Sequence, residues 1–347
     1  MSIRTLTLGM VLAAALATAG SAVAKPPGEA PVAVREIGHL YVGGQVVQLR
    51  NVPARPRLRV PELPPQTVDP NGDFIAGATY VGFVKLARPA HRYPILMIPG
   101  GGLSGASFET TPDGRPGWEW FFLHAGYSVY VADLDQTGRS GWSRYPEIDP
   151  DEPAFRSSSF LWETFRIGRP DSYAAPGGPA AYPGTQFPVG SFANFARQAQ
   201  PRFRISPEAE ALVFDALVKA VCPCILLTHS APGKSGMAAA QRWPRLIEAV
   251  ISVEPSGAPD EAPATALPPH LFIWGDFLDP AETDPSWAEE YQEADAYRQR
   301  LNAGNHRADW LSLPARGIRG NSHMLMLDRN SDVVAGLIGQ WLHAQGL

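Results

Sequence analysis

Cysteine is nearly absent. The 347-residue chain has two, Cys222 and Cys224, on either side of Pro223. No network of bridges can staple this fold. With no further Cys, and no His at ligand spacing, the usual cysteine–histidine metal sites are excluded, and no metal or cofactor is expected. The spacing is too tight for an ordinary structural bridge. The expectation is two buried thiols entering a central strand, with a small-loop disulfide as the alternative in an oxidising compartment. Basic charge is not in excess: 29 Lys and Arg against 34 Asp and Glu give a formal net charge of −5. A nucleic-acid partner is therefore not expected. Long apolar runs are missing too. Leu6–Ala17 is too short to span a bilayer comfortably; it follows Arg4 and precedes the small-x-small site Ala22-Val23-Ala24. That pattern predicts a secretory signal peptide over residues 1–24 and an exported chain, periplasmic or secreted, with no membrane span after Lys25.

What is abundant is glycine (33), proline (35) and apolar residues (45%). That content suffices for one large α/β domain or two small ones. After a Pro-rich linker, Lys25–Val34, the segments His39–Val42 and Gln45–Leu49 read as two strands of a hairpin turning at Gly43-Gly44. Asn51–Pro70 reads as loop. Strands are expected at Ala78–Leu86, Tyr93–Ile98 and Tyr127–Ala132, with a helix at Gly117–Ala125. Regular alternation stops near Gln136 and resumes at Ser206. The intervening Gly, Pro, Ser and aromatic residues (Trp142, Phe155, Phe160, Trp162, Phe165, Phe187, Phe192 and Phe195) predict an inserted cap over 136–205, because so long a structureless loop is improbable inside a domain. Strands and helices then alternate to the end. A mostly parallel sheet flanked by helices follows, built from 25–135 and 206–347.

One stretch organises the rest. Cys224–Gly236 reads strand, tight turn, helix, the setting of a nucleophile elbow, with Ser230 where the raised serine would be. Thr228 and Pro232 stand where the G-x-S-x-G pattern has glycines. The same residues nearly spell a phosphate loop, with Gly233-Lys234-Ser235 in place but Thr228 for the first glycine, which would imply a nucleotide hydrolase. Features elsewhere favour the elbow. Pro99-Gly100-Gly101-Gly102 ends a buried strand, and its amides can approach a developing oxyanion; the donors expected are the N–H groups of Gly101 and Ala231. Asp133–Ser140 has the spacing of a D-x-R-G-x-G-x-S turn, with Asp135 and Gln136 replacing Arg and Gly. His323, in Gly320-Asn-Ser-His, lies last in chain order between a strand and the closing helix, where a general base is expected. His229, beside Ser230, is expected to pack under the elbow, and His306 to lie at the surface. For the acid, Glu254, Asp276 and nearby Asp279 all lie between Ser230 and His323, and order does not separate them.

Together, Thr228-His-Ser230, Ser252-Val-Glu-Pro255, Gly320-Asn-Ser-His323 and Glu109-Thr-Thr-Pro-Asp-Gly-Arg115 resemble a small family of secreted bacterial carboxylesterases with the α/β-hydrolase fold. The resemblance runs from Tyr41-Val-Gly-Gly44 to the closing helix. It implies a Ser-Glu-His triad of Ser230, Glu254 and His323, and a small-molecule ester as substrate. Pro99 departs from the family's His in the oxyanion loop. The alternatives are a non-catalytic ligand-binding protein on the same fold and, within the enzymes, a lactonase, lipase or peptidase. The cap's aromatic content hints at an apolar or aromatic substrate portion. Oligomeric state is not legible.

Overall fold

Strands and helices alternate along most of the chain in the computed structural model, which describes residues 31–57, 64–141 and 145–347. The expected signal peptide and Trp142 lie outside the described residues. The first strands are β1 (Val34–Leu49), the short pair β2 (Arg55–Arg57) and β3 (Gln66–Val68), and β4 (Gly72–Leu86). There follow β5 (Ile95–Ile98), α1 (Ala106–Glu109), α2 (Trp118–His124), β6 (Val129–Asp133), α3 (Ser158–Thr164) and α4 (Phe192–Ala196). The last part holds α5 (Pro207–Val221), β7 (Cys224–His229), α6 (Gly233–Arg242), β8 (Ile247–Val253), β9 (His270–Trp274), α7 (Ser286–Ala303), β10 (Ala308–Ser312) and α8 (Ser331–Ala344).

Eight strands form one sheet in the order β1-β4-β6-β5-β7-β8-β9-β10. Pairing is parallel from β6 through β10 and antiparallel for β1–β4 and β4–β6. Every residue of β5, β7 and β9 is buried, as a strand covered on both faces requires. Period-two alternation divides them: Ile95, Met97, Ile225 and Leu227 join one core cluster, and Leu96, Ile98 and Leu226 the other. The chain leaves β5 for β6 on one side and returns to β7 on the other. The loops after β5 and β7 therefore diverge, and the crevice between them is where such sheets bind ligands.

Three sequence expectations are corrected here. Gly43 and Gly44 do not turn a hairpin. β1 runs straight through them and pairs with β4 along its whole length, from Val34 with Leu86 to Leu49 with Gly72. Gly43, Gly44 and the opposing Gly77 all have positive φ (66°, 80° and 78°), so the glycines bend a long ribbon instead of reversing it. Cys222 and Cys224 are joined in a disulfide at the mouth of β7, because Cα atoms 4.3 Å apart bring the sulfurs together despite the short spacing. Within Asn51–Pro70, β2 and β3 form a two-stranded pair where only loop was expected.

Ser206, where regular alternation resumes, caps α5, its side chain accepting from the Ala209 amide at 3.2 Å with Pro207 first inside. In segment 136–205, Trp162, Phe165, Phe187, Phe192 and Phe195 are at most 7% exposed. They belong to the same core cluster as one face of β5 and β7. These aromatics are spent on packing, and residues 32–347 form one compact unit.

Candidate active site

β7 ends at His229, and Ser230 turns the chain with φ of 61°. A non-glycine residue in the left-handed region costs about 1 kcal/mol or more, and such strain persists only where the surroundings impose it. Here they do. The Ser230 amide donates to Val253 O at 3.0 Å, and its carbonyl accepts from Gly233 and Ser256 at 2.8 and 3.0 Å. The displaced glycines of the motif have identifiable work. A Cβ on Gly233 would lie 2.5 Å from Pro255 Cβ, and one on Gly236 would lie 2.7 Å from Thr228 Cγ2. Gly236 thus makes room for the threonine that occupies the usual glycine position.

β8 delivers Glu254, which also has positive φ (45°). Glu254 Oε2 is 2.7 Å from His323 Nδ1, and both side chains are fully buried. Glu254 Oε1 accepts from the Gly275 amide at 2.6 Å. Asp276 does not reach the histidine. It accepts from the amides of Gly320 and Phe277, both at 3.0 Å, and so braces the loop that carries His323. Asp279 likewise accepts from a local amide, that of Ala281. His323 is gripped further by its amide donating to Phe165 O at 3.0 Å and by the Phe165 and Trp287 rings, 5.4 and 4.2 Å away. Its Nε2 has no hydrogen-bond partner among the described residues.

Between the arms lies the glycine loop. A Cβ on Gly101 would sit 3.1 Å from Ala231 Cβ, so the two segments abut. Neither the Gly101 nor the Ala231 amide donates to another group among the described residues. Two amides without partners among the described residues and a strained serine lie at the carboxyl ends of β5 and β7, and the carboxylate that holds the imidazole lies at the end of β8.

Comparison with known proteins places the fold. No family model matches the chain. The chain is 31% identical to a novel bacterial esterase whose structure is known at atomic resolution, with a TM-score of 0.79, over 94% of this chain and 100% of that one. The chain belongs to the α/β-hydrolase esterases. This esterase is also 27% identical, over 345 aligned residues, to a probable secreted lipase of a fungal species (strain ATCC 74256), covering 78% of this chain and 89% of that protein.

No pattern in the sequence points to Arg166. This side chain is wholly buried in the esterase, with φ of 55°. Its Nη2 lies 2.5 Å from both Oε1 and Oε2 of Glu254, and its Nε donates to Asp276 O at 3.0 Å. Its guanidinium also stacks 4.7 Å from the Trp287 ring centre. Burial alone would raise the Glu254 carboxyl; Arg166 and His323 outweigh it and hold the group at about 2. Burial lowers His323, partly opposed by Glu254, so its imidazole is neutral at pH 7 and able to accept a proton.

His323 is the histidine bonded to the Glu254 carboxylate; the His229 ring lies 4.5 Å from the His323 ring, with its Nδ1 unpartnered among the described residues. His229 is buried as expected, and its Nε2 donates to His323 O at 3.0 Å. His306, expected at the surface, is buried and bonded to Pro263 O at 2.9 Å. The loop after β7 pulls the phosphate-loop pattern apart. Lys234 is exposed, 3.9 Å from Asp260, and Glu254 is saturated by Arg166, His323 and Gly275. In Asp133–Ser140, the Asp133 carboxylate accepts from the amides of Gly105 (2.6 Å) and Arg139 (2.8 Å), tying this turn to the glycine-loop segment. Among the described residues no cluster of His, Cys, Asp or Glu is suited to a metal ion.

Proposed function

We propose that this esterase is an exported enzyme that cleaves carboxylic esters through an acyl-enzyme on Ser230. His323 Nε2 takes the proton of Ser230 Oγ as the oxygen attacks the ester carbonyl. Glu254 orients the imidazole and stabilises its cation, and Arg166 keeps Glu254 ionised. The amides of Gly101 and Ala231 hold the oxyanion, each worth roughly 3 kcal/mol. Collapse of the tetrahedral intermediate breaks the C–O bond to the alcohol, which leaves with the proton from His323. Water then attacks the acyl-enzyme by the same route and restores Ser230. Segment 136–205 acts as the cap and contributes Phe165 and Arg166 to the site.

The observation that carries this reading is the buried Glu254–His323 hydrogen bond of 2.7 Å beside a serine held at positive φ. Fluorophosphonate labelling followed by peptide mass spectrometry should place one adduct on Ser230. Ser230→Ala should lose roughly a thousandfold or more in kcat; near-normal turnover would remove Ser230 from the mechanism. Export is supported by the likeness to a secreted lipase and by the pattern of residues 1–24. A mature N-terminus at Lys25, read by mass spectrometry of protein recovered from outside the cytoplasm, is the expected result.

A further inference from the structure

A pocket of about 140 Å³ opens beside the glycine loop. It is lined by Gly100–Leu103, Ala231 and Pro232, and so adjoins both proposed oxyanion donors. Three ionisable side chains face it from three different segments: Asp135, Arg202 and Glu210. Arg202 lies directly on the loop. A Cβ on Gly101 would be 3.1 Å from both Cζ and Nε of Arg202. The backbone that carries it is fastened. Arg202 and Ala154 exchange amide–carbonyl bonds of 3.0 and 2.9 Å, and the Gln200 amide donates to Gly102 O at 2.8 Å.

The charges in this pocket form no close ion pair with one another among the described residues, although Arg202 acts on Glu210 electrostatically. Elsewhere, half-buried arginines find carboxylates: Arg139 with Asp133 at 2.8 Å, Arg115 with Asp113 at 2.8 Å, and Arg242 with Asp215 at 2.9 Å. Arg202 shares a pocket with two carboxylates, yet none lies within ion-pair distance of it among the described residues. Asp135 is 8% exposed, and its Oδ1 has no hydrogen-bond partner. A guanidinium offers five donors in a planar fork that matches a carboxylate. Glu210 and Asp135 repel any anion that does not reach the fork, which sharpens selection for one that does. The pocket's small size does not suit a long acyl chain, and Trp162, Phe165, Phe187, Phe192 and Phe195 are buried in the core.

We propose that this pocket is the recognition subsite for the acyl part of the substrate, with Arg202 donating to a carboxylate there, so that the preferred substrates are monoesters of short dicarboxylic acids. The proposal rests on the Ser230 reading above. The carboxylate would lie a few bonds from the scissile carbonyl, because Arg202 and Ala231 both touch the Gly101 position.

The test compares monoethyl succinate with ethyl butanoate, matched in length and differing in charge, by pH-stat titration. Wild-type kcat/KM is expected to favour the succinate about tenfold. The ratio should fall below one in Arg202→Met, recover in part in Arg202→Lys, and rise in Glu210→Gln. Because the ratio is internal to each variant, loss of folded protein does not move it. A wild-type ratio of one or less, or a ratio unchanged in Arg202→Met, overturns the proposal. Fluorophosphonate labelling of each protein separates the two readings: an Arg202-dependent ratio without a Ser230 adduct supports the subsite and refutes the nucleophile.

Discussion

The two sides of Ser230 treat charge in opposite ways. On the side of β8 and β9, charge is sealed and matched: Glu254, Arg166 and His323 are fully buried, and the Glu254 carboxylate bonds to both of the others. On the side of β6 and α5, Asp135, Arg202 and Glu210 share a pocket and leave one another unpaired. A buried ion pair contributes little net stability, yet removing one partner is severe, because the other charge is stranded away from water. An unpaired charge beside a pocket carries a standing cost that a ligand relieves. The first arrangement suits machinery that must hold one geometry; the second suits recognition.

The contrast breaks first at Glu254. Glu254→Gln keeps the shape but loses the charge that steadies the imidazole and leaves Arg166 stranded. It should reduce kcat by roughly 10³–10⁴-fold, whereas Asp276→Asn should cost less than about tenfold, since Asp276 touches only backbone amides. Equal losses in the two variants would return the acid to Asp276.

Arg166 comes next. Arg166→Met strands the Glu254 carboxylate and should cost about 3–5 kcal/mol of stability, read by thermal or denaturant unfolding. The sign of its pH effect also follows. Arg166 lowers His323 and is the strongest influence holding Glu254 down. Its removal raises both, so the acid limb of kcat/KM should move to higher pH, and Arg166→Lys should restore part of the shift. A limb that stays in place would make Arg166 a packing residue only. The wild-type pair carries its own pH signature. Arg166 and His323 hold the folded Glu254 carboxyl down at about 2, against an ordinary 4.5. Its contribution to stability is therefore full above about 4.5 and is lost as pH falls towards 2.

How far this contrast could be foreseen depends on where each residue lies. The elbow was legible because strand, turn and helix are local, and Ser230 sits at their junction. His323 was legible from chain order. Glu254 was not separable from Asp276 by order, because consecutive parallel strands both end in an acid; the family resemblance pointed to Glu254, and the 2.7 Å contact with His323 gives the physical basis. Arg166 left no trace. It lies in a stretch without periodicity, 88 residues from Glu254, and the ion pair depends on tertiary packing alone. Gly43-Gly44 misled because the dipeptide permits a turn without requiring one, and the partner strand β4 decided otherwise.

The smallest effect tests the open side. Asp135 is nearly buried, and burial, with a further push from Asp149, raises its carboxyl to about 6 from 3.8. A folded-state value above the unfolded one means a contribution present at low pH and lost as pH rises through about 6. Above that, the protein carries a buried carboxylate that would be better solvated in the unfolded chain. Asp135→Asn keeps the shape and removes the charge. At pH 8 it should therefore stabilise the fold, by roughly 1–2 kcal/mol, or a rise of about 1.5–3 °C in Tm. At pH 4 the two proteins should melt alike. The same kind of change at Glu254 is destabilising, because there the charge is matched. If Asp135→Asn destabilises at pH 8, then Asp135 has partners that hold it, the pocket is built for itself and not for a ligand, and the contrast between the two sides of Ser230 is lost.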